Sequence, residues 1–145
     1  MKISTKGRYA LRTMIDLAQH GGEGLVTLKD VAVRQDLSQK YLEQIVTQLS
    51  KAGLVKGVRG PQGGYRLARD PKDYNVAEIL RLVEGSLAPV ECLETDVNTC
   101  EHCASCATVD MWTGLYKVVN DYLEGVSLQS LVEQANASAG NDYII

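Results

Sequence analysis

The sequence predicts a mainly α fold carrying one small β-hairpin, on three observations. Apolar residues recur at helical spacing in consecutive segments near the start, with Ser or Thr at the openings and Gly at the stops. The period then switches from helical to alternating around a glycine-rich turn between residues 57 and 64. Further on, a helix-spaced apolar stripe of Met111, Leu115, Val118, Val119 and Tyr122 marks a longer helix, from about Ala107 to Glu124, with no obvious partner of its own length.

Each element has its own signals. Ser4 or Thr5 can cap a first helix, "KGRYALRTMIDLAQHG", with Leu11, Met14, Ile15 and Ala18 on one side and Gly21 and Gly22 at its end. In "VTLKDVAVRQDL", Thr27 is the cap, Asp30 stands three residues on, and Leu28, Val31, Ala32 and Leu37 form the buried side. Ser38 caps "QKYLEQIVTQLSKAG", whose inner face is Leu42, Ile45, Val46 and Leu49 and which Gly53 stops. Two short helices joined tightly, the second one capped, form the helix-turn-helix pattern. "LVKGVRG" and "GGYRLARD" read as two strands around "GPQGG", with Arg59 at the base and Arg66 beyond. A basic hairpin after that motif makes it a winged helix-turn-helix. "NVAEILRLVEG" (75–85) is a fourth helix, residues 92–106 a loop, and Ser127 caps a short last helix, "LQSLVEQA", before a tail, "SAGNDYII".

Composition narrows the function classes. With no Phe and one Trp among 145 residues, the core must be aliphatic. No apolar run reaches the roughly 18–20 residues that span a bilayer. The opening "MKISTKGRYA" lacks the apolar stretch of a signal peptide, so the expected address is the cytoplasm and no membrane partner is expected. Residues 1–72 hold 13 Lys and Arg against 6 Asp and Glu, while residues 73–145 hold 2 against 12. Such asymmetry directs the first half toward a polyanion, although charged residues also simply solvate faces. An enzyme or electron carrier is disfavoured: the only histidines are His20 and His102, and neither a nucleotide fingerprint nor a nucleophile–base set is present.

In a helix-turn-helix, the start of the second helix faces base edges in the major groove. Here that places Ser38, Gln39, Lys40, Tyr41, Glu43 and Gln44 toward double-stranded DNA. Gln44 suits adenine, Glu43 suits cytosine N4, and Lys40 suits guanine or phosphate. Arg59, with Gly60 and Pro61 in the wing turn, can enter a minor groove or clamp a phosphate. Lys2, Lys6, Arg8 and Arg12 give the first helix a basic end for the backbone. Paired half-sites would need a two-fold protein, which makes the long helix a dimerisation candidate, as against packing back on its own domain.

All four cysteines lie in "CLETDVNTCEHCASC", spaced C-x7-C-x2-C-x2-C at Cys92, Cys100, Cys103 and Cys106. A cytosolic setting disfavours a disulfide. Three close thiols and one remote one fit the paired units of a zinc knuckle poorly. Iron–sulfur clusters tolerate varied spacing, so zinc and a cluster stand level, with a thiol redox switch third.

The stretch "YLEQIVTQLSKAGLVKGVRGPQGGYRLARD", together with "STKGRYAL", resembles the IscR-like iron–sulfur cluster regulators, which are dimeric winged-helix transcription factors. The likeness covers about residues 1–135 and is densest over 38–70. It implies a DNA-binding domain over residues 1–85, a cluster-binding loop over 86–106, and a dimerisation helix with its tail over 107–145. It also implies a homodimer whose operator binding follows the state of a [2Fe–2S] or [4Fe–4S] cluster, sensing iron, redox state or nitric oxide. Some relatives lack a cluster, which leaves thiol, zinc or protein-partner control as the alternative. Cys92, Cys100 and Cys106 match one three-cysteine pattern of the family. The histidine that supplies a fourth ligand in the better-known pattern is replaced by Val109. Cys103, His102 or Glu43 reaching across the dimer are the candidates for that position.

Overall fold

The computed structural model describes residues 1–22 and 24–141. Three helices, α1 (Thr5–Gly21), α2 (Leu28–Gln35) and α3 (Gln39–Lys51), lead into the strands β1 (Val55–Val58) and β2 (Gly64–Leu67). Then come α4 (Val76–Glu84), an irregular segment with two short 3₁₀ turns, α5 (Val109–Glu124) and α6 (Leu128–Asn141). The chain is thus mostly helical with one antiparallel hairpin, a winged helix-turn-helix extended by two further helices. Among the described residues, no helix is long and apolar enough to cross a membrane.

The helix starts follow local chemistry. Ser4, rather than Thr5, is the first cap, its hydroxyl accepting from the Gly7 amide at 3.2 Å. Thr27, Ser38 and Asn75 cap α2, α3 and α4 in the same way. Between α2 and α3 the chain turns on Asp36, held left-handed at φ 53°, a conformation that Asp tolerates better than most residues.

The core sits where α1, α2 and α3 meet. Ala10, Met14 and Leu17 of α1, Val31 of α2, and Leu42, Ile45, Val46 and Leu49 of α3 are all buried there. Leu54 and Val55 at the root of β1, and Ile79 of α4, close it from the other side. The hairpin pairs Val55 with Leu67 through Val58 with Gly64. Val26 joins it as a one-residue third edge, exchanging both main-chain bonds with Tyr65 at 2.8 Å.

The last helix differs from the expectation in its length. It is longer than "LQSLVEQA": Ser138 to Asn141, read as tail, continue α6, while residues 142–145 of that tail lie outside the described residues. Leu128 and Val132 of α6 also return to the main core, and Gln19 of α1 bonds Asn136 at 2.9 Å. A second, smaller apolar cluster of Val76, Leu80 and Leu87 receives Tyr116 and Leu123 of α5. That packing uses one face of α5. On the other face Met111 (53% exposed), Val118 (65%) and Tyr122 (70%) face outward.

Candidate nucleic-acid interface and cysteine loop

The recognition helix sorts its residues cleanly. Ser38, Gln39, Lys40, Glu43 and Gln44 are exposed, while the alternate face is buried in the core. Tyr41 is half-buried instead, its ring meeting Tyr9 edge-on with centroids 5.8 Å apart. Tyr41 therefore helps seat α3 on α1. Arg12 is also occupied: its guanidinium lies 5.3 Å from the Tyr9 ring centroid and donates to the Gln35 carbonyl at 2.5 Å and side chain at 3.1 Å. Arg8 donates to the Thr5 hydroxyl at 3.2 Å. Of the other two basic residues near the start, Lys2 is exposed and Lys6 half-buried.

The wing is built by glycines at positions where they are required. Gly60 has φ 114°, a conformation closed to ordinary side chains. A Cβ on Gly63 would lie 2.1 Å from the Val58 carbonyl oxygen. Arg59, Gly60 and Pro61 are exposed at the tip, and Arg66 is exposed on β2.

One part of this interface escapes sequence reading. Asp16 on α1 is buried and accepts from Arg34 at 3.0 and 2.7 Å and from Gln35 at 2.9 Å. The Asp16 bond raises the Arg34 pKa above its ordinary value. The signal in the sequence is an aspartate one turn after Thr13, among the apolar positions of α1.

The four cysteines are free thiols on the segment between α4 and α5. Cys92, Cys103 and Cys106 are half-buried and Cys100 exposed. Cys92 and Cys100 line one cavity of about 410 Å³ with Val90, Glu91 and Thr99. Cys103 begins a 3₁₀ turn whose end, Cys106, lies close to the start of α5. A hydrogen bond with the Thr108 hydroxyl, 3.5 Å away, holds the Cys106 thiol below its ordinary pKa. His102 and Glu43 are both exposed, the first on the loop and the second on α3. Among the described residues, no three His, Cys, Asp or Glu side chains converge closely enough to hold a metal. The donor set, four soft thiols within fifteen residues, is of the kind an iron–sulfur cluster takes; to hold one, the loop would have to draw these thiols together.

A capped recognition helix with Ser38, Gln39, Lys40, Glu43 and Gln44 exposed at its start, a glycine-built wing tipped by Arg59 and a basic first half define a winged-helix transcription regulator. The chain belongs to the Rrf2 family, described as an iron-dependent transcriptional regulator, which it matches over residues 3–134. CymR of Bacillus subtilis is 42% identical over 90% of this chain and 89% of its own. The solved structure of that protein, titled the global cysteine regulator, aligns with a TM-score of 0.77 over 92% of this chain and 98% of that one, at 39% identity. IscR of Aliivibrio salmonicida is 40% identical over 91% of this chain and 77% of its own. The solved T. potens IscR is 42% identical, with a TM-score of 0.72 over 93% of this chain and 88% of that one. Its relatives are named as transcriptional regulators, and the protein is a regulator, not an enzyme.

Proposed function

We propose that this regulator is a homodimer that binds a two-fold operator with an affinity set by an iron–sulfur cluster on its cysteine loop. The observation that carries this reading is the placement of four free thiols on one solvent-reachable segment, between α4 and the start of α5. Membership of an iron-dependent family supports it. Ser38, Gln39, Lys40, Glu43 and Gln44 read base edges, Tyr41 seats the helix, and Arg59 with Gly60 and Pro61 takes the minor groove. Lys2 and Lys6 contact phosphates. Cys92, Cys100 and Cys106 are the core ligands and Cys103 the fourth, with His102 or Glu43 as the alternative. When bound, a [2Fe–2S] or [4Fe–4S] cluster supplies iron–thiolate bonds that a change in iron, oxidant or nitric oxide breaks.

The remaining steps belong to the chain. Drawing Cys92 toward Cys103 and Cys106 closes the loop and shifts the start of α5, which the outward stripe would hold against a second copy. Control requires that the closed and open loops differ in free energy between the DNA-bound and free proteins. Anaerobic purification with iron, sulfide and zinc quantified tests this reading. Iron and sulfide should be present in near-equal amounts with a thiolate-to-iron charge-transfer band; a colourless protein carrying stoichiometric zinc contradicts it.

A second reading has its own support. CymR is titled a cysteine regulator, and half-exposed thiols can signal by oxidation without a cluster. Under it, the anaerobic protein holds neither iron nor zinc, and oxidant alone alters DNA binding.

A further inference from the structure

Tyr74 stands where three parts of the molecule meet. Its ring is 1% exposed, and its hydroxyl is fully used. That hydroxyl donates to the Leu54 carbonyl at 2.6 Å and accepts from the Ala68 and Arg69 amides at 3.0 Å each. Leu54 immediately precedes β1 and Ala68 immediately follows β2, so one oxygen ties together the two points where the wing leaves the body. The Arg69 guanidinium covers the ring at 4.3 Å and bonds Glu78 of α4 at 2.5 Å.

The main chain at Tyr74 reaches the other way. Its carbonyl accepts from the Leu128 amide at 3.0 Å, and the next amide but one, Val76, donates to the Val126 carbonyl at 2.9 Å. Asn75 and Ser127 form the bridge between these two bonds. Residues 126–128 are the junction of α5 and α6. A displacement of that junction is therefore carried by main-chain bonds to Tyr74, and by its hydroxyl to both roots of the wing.

We infer that Tyr74 is the positioning residue of the wing, coupling the α5–α6 junction to the placement of Arg59 on DNA. This rests on the DNA-binding reading of the wing and is independent of whether a cluster is bound. The output of the C-terminal half is thereby the wing. Leu54, Val55 and Tyr74 share the core with the buried face of the recognition helix, so the footprints of the wing and of that helix are read separately.

The test begins with an operator selected from random duplexes by the wild-type protein. Selection of no preferred sequence removes the DNA-binding reading itself. Given an operator, Tyr74→Phe keeps the ring and removes the hydroxyl. It should lower affinity roughly tenfold, the size of one lost arginine contact. Minor-groove protection from hydroxyl radicals at the wing should be lost, while guanine N7 protection under the recognition helix persists. Arg59→Ala should cause a similar loss, and the double variant should fall no further, because both changes remove the same contact. Ile79→Val, a buried change in α4, controls for stability and should leave the wing protection intact. Tyr74→Phe with wild-type affinity and full wing protection overturns the inference.

Amide exchange on the wild type gives a reading that needs no variant. Arg69 donates its amide to the Tyr74 hydroxyl, and Leu128 donates its own to the Tyr74 carbonyl. Operator binding should slow both; slowing at Arg69 alone overturns the link to the junction.

Discussion

Arg34 on α2 donates two hydrogen bonds, 3.0 and 2.7 Å long, to Asp16 on α1, a carboxylate with no exposed surface. Gln35 adds a third, and Arg12 holds Gln35 in turn. This network fixes the angle between α1 and α2. Since α2 turns directly into α3 at Asp36, it also fixes where the recognition helix points. Arg34→Met strips the counter-charge from a buried carboxylate and should cost about 3 kcal/mol in urea denaturation. Asp16→Asn should cost less, about 1–2 kcal/mol, because the Arg34 left behind reaches solvent.

Gly7 makes room for a different tie. Glu84 at the end of α4 accepts from the Ser4 amide at 2.9 Å and the Ser4 hydroxyl at 2.6 Å, and a Cβ on Gly7 would lie 2.1 Å from that carboxylate oxygen. Alanine normally gains about 1 kcal/mol over glycine inside a helix. Here it pushes aside the flexible end of Glu84 and displaces two solvent-exposed bonds, together worth about 1–2 kcal/mol. The two effects nearly cancel, so Gly7→Ala should change the melting temperature little, whereas in a Glu84→Ala background, with no carboxylate left to displace, it should raise it.

What was legible in the sequence follows from range. The caps at Ser4, Thr27 and Ser38 each act over three residues, and the glycine turn acts within itself, so local pattern finds them. The exposed face of α3 follows from the same period that buries Leu42, Ile45 and Leu49. Asp16–Arg34 and Tyr74–Leu54 join residues 18 and 20 positions apart, with no periodic signature. The extension of α6 through Ser138–Asn141 was missed for another reason: small polar residues there read as tail, while Leu128 and Val132 anchor the helix from its start. The cysteines' spacing was visible, but how the loop closes depends on a ligand that spacing alone does not define.

The outward stripe of α5 carries the expectation of dimerisation. Val118 and Tyr122 are mostly exposed and lie with Met1, Ile3 and Leu80 around an apolar cavity of about 390 Å³. Val118→Glu should leave the fold of one chain intact, since Val118 is 65% exposed. Sedimentation should show a shift from dimer to monomer, and operator affinity should fall by roughly a hundredfold or more as the paired half-sites uncouple. An unchanged dimer would move the interface elsewhere.

Cys103 and Cys106 should behave differently. Under the proposed ligand set Cys106→Ala removes a core ligand, and it should yield protein without iron. Cys103→Ala leaves three thiolates, and should load iron but release it to a chelator faster than the wild type. Equal release rates would assign the fourth position to His102, Glu43 or a group from outside the chain.

The most direct measurement compares operator affinity in one anaerobic preparation before and after its iron is removed by chelation. The salt concentration must be held constant, because DNA binding falls steeply with salt. The expected result is a change of at least roughly tenfold, the scale of a typical coupling free energy between sites, and its absence in Cys100→Ala. Equal affinity of the loaded and stripped forms would contradict cluster control.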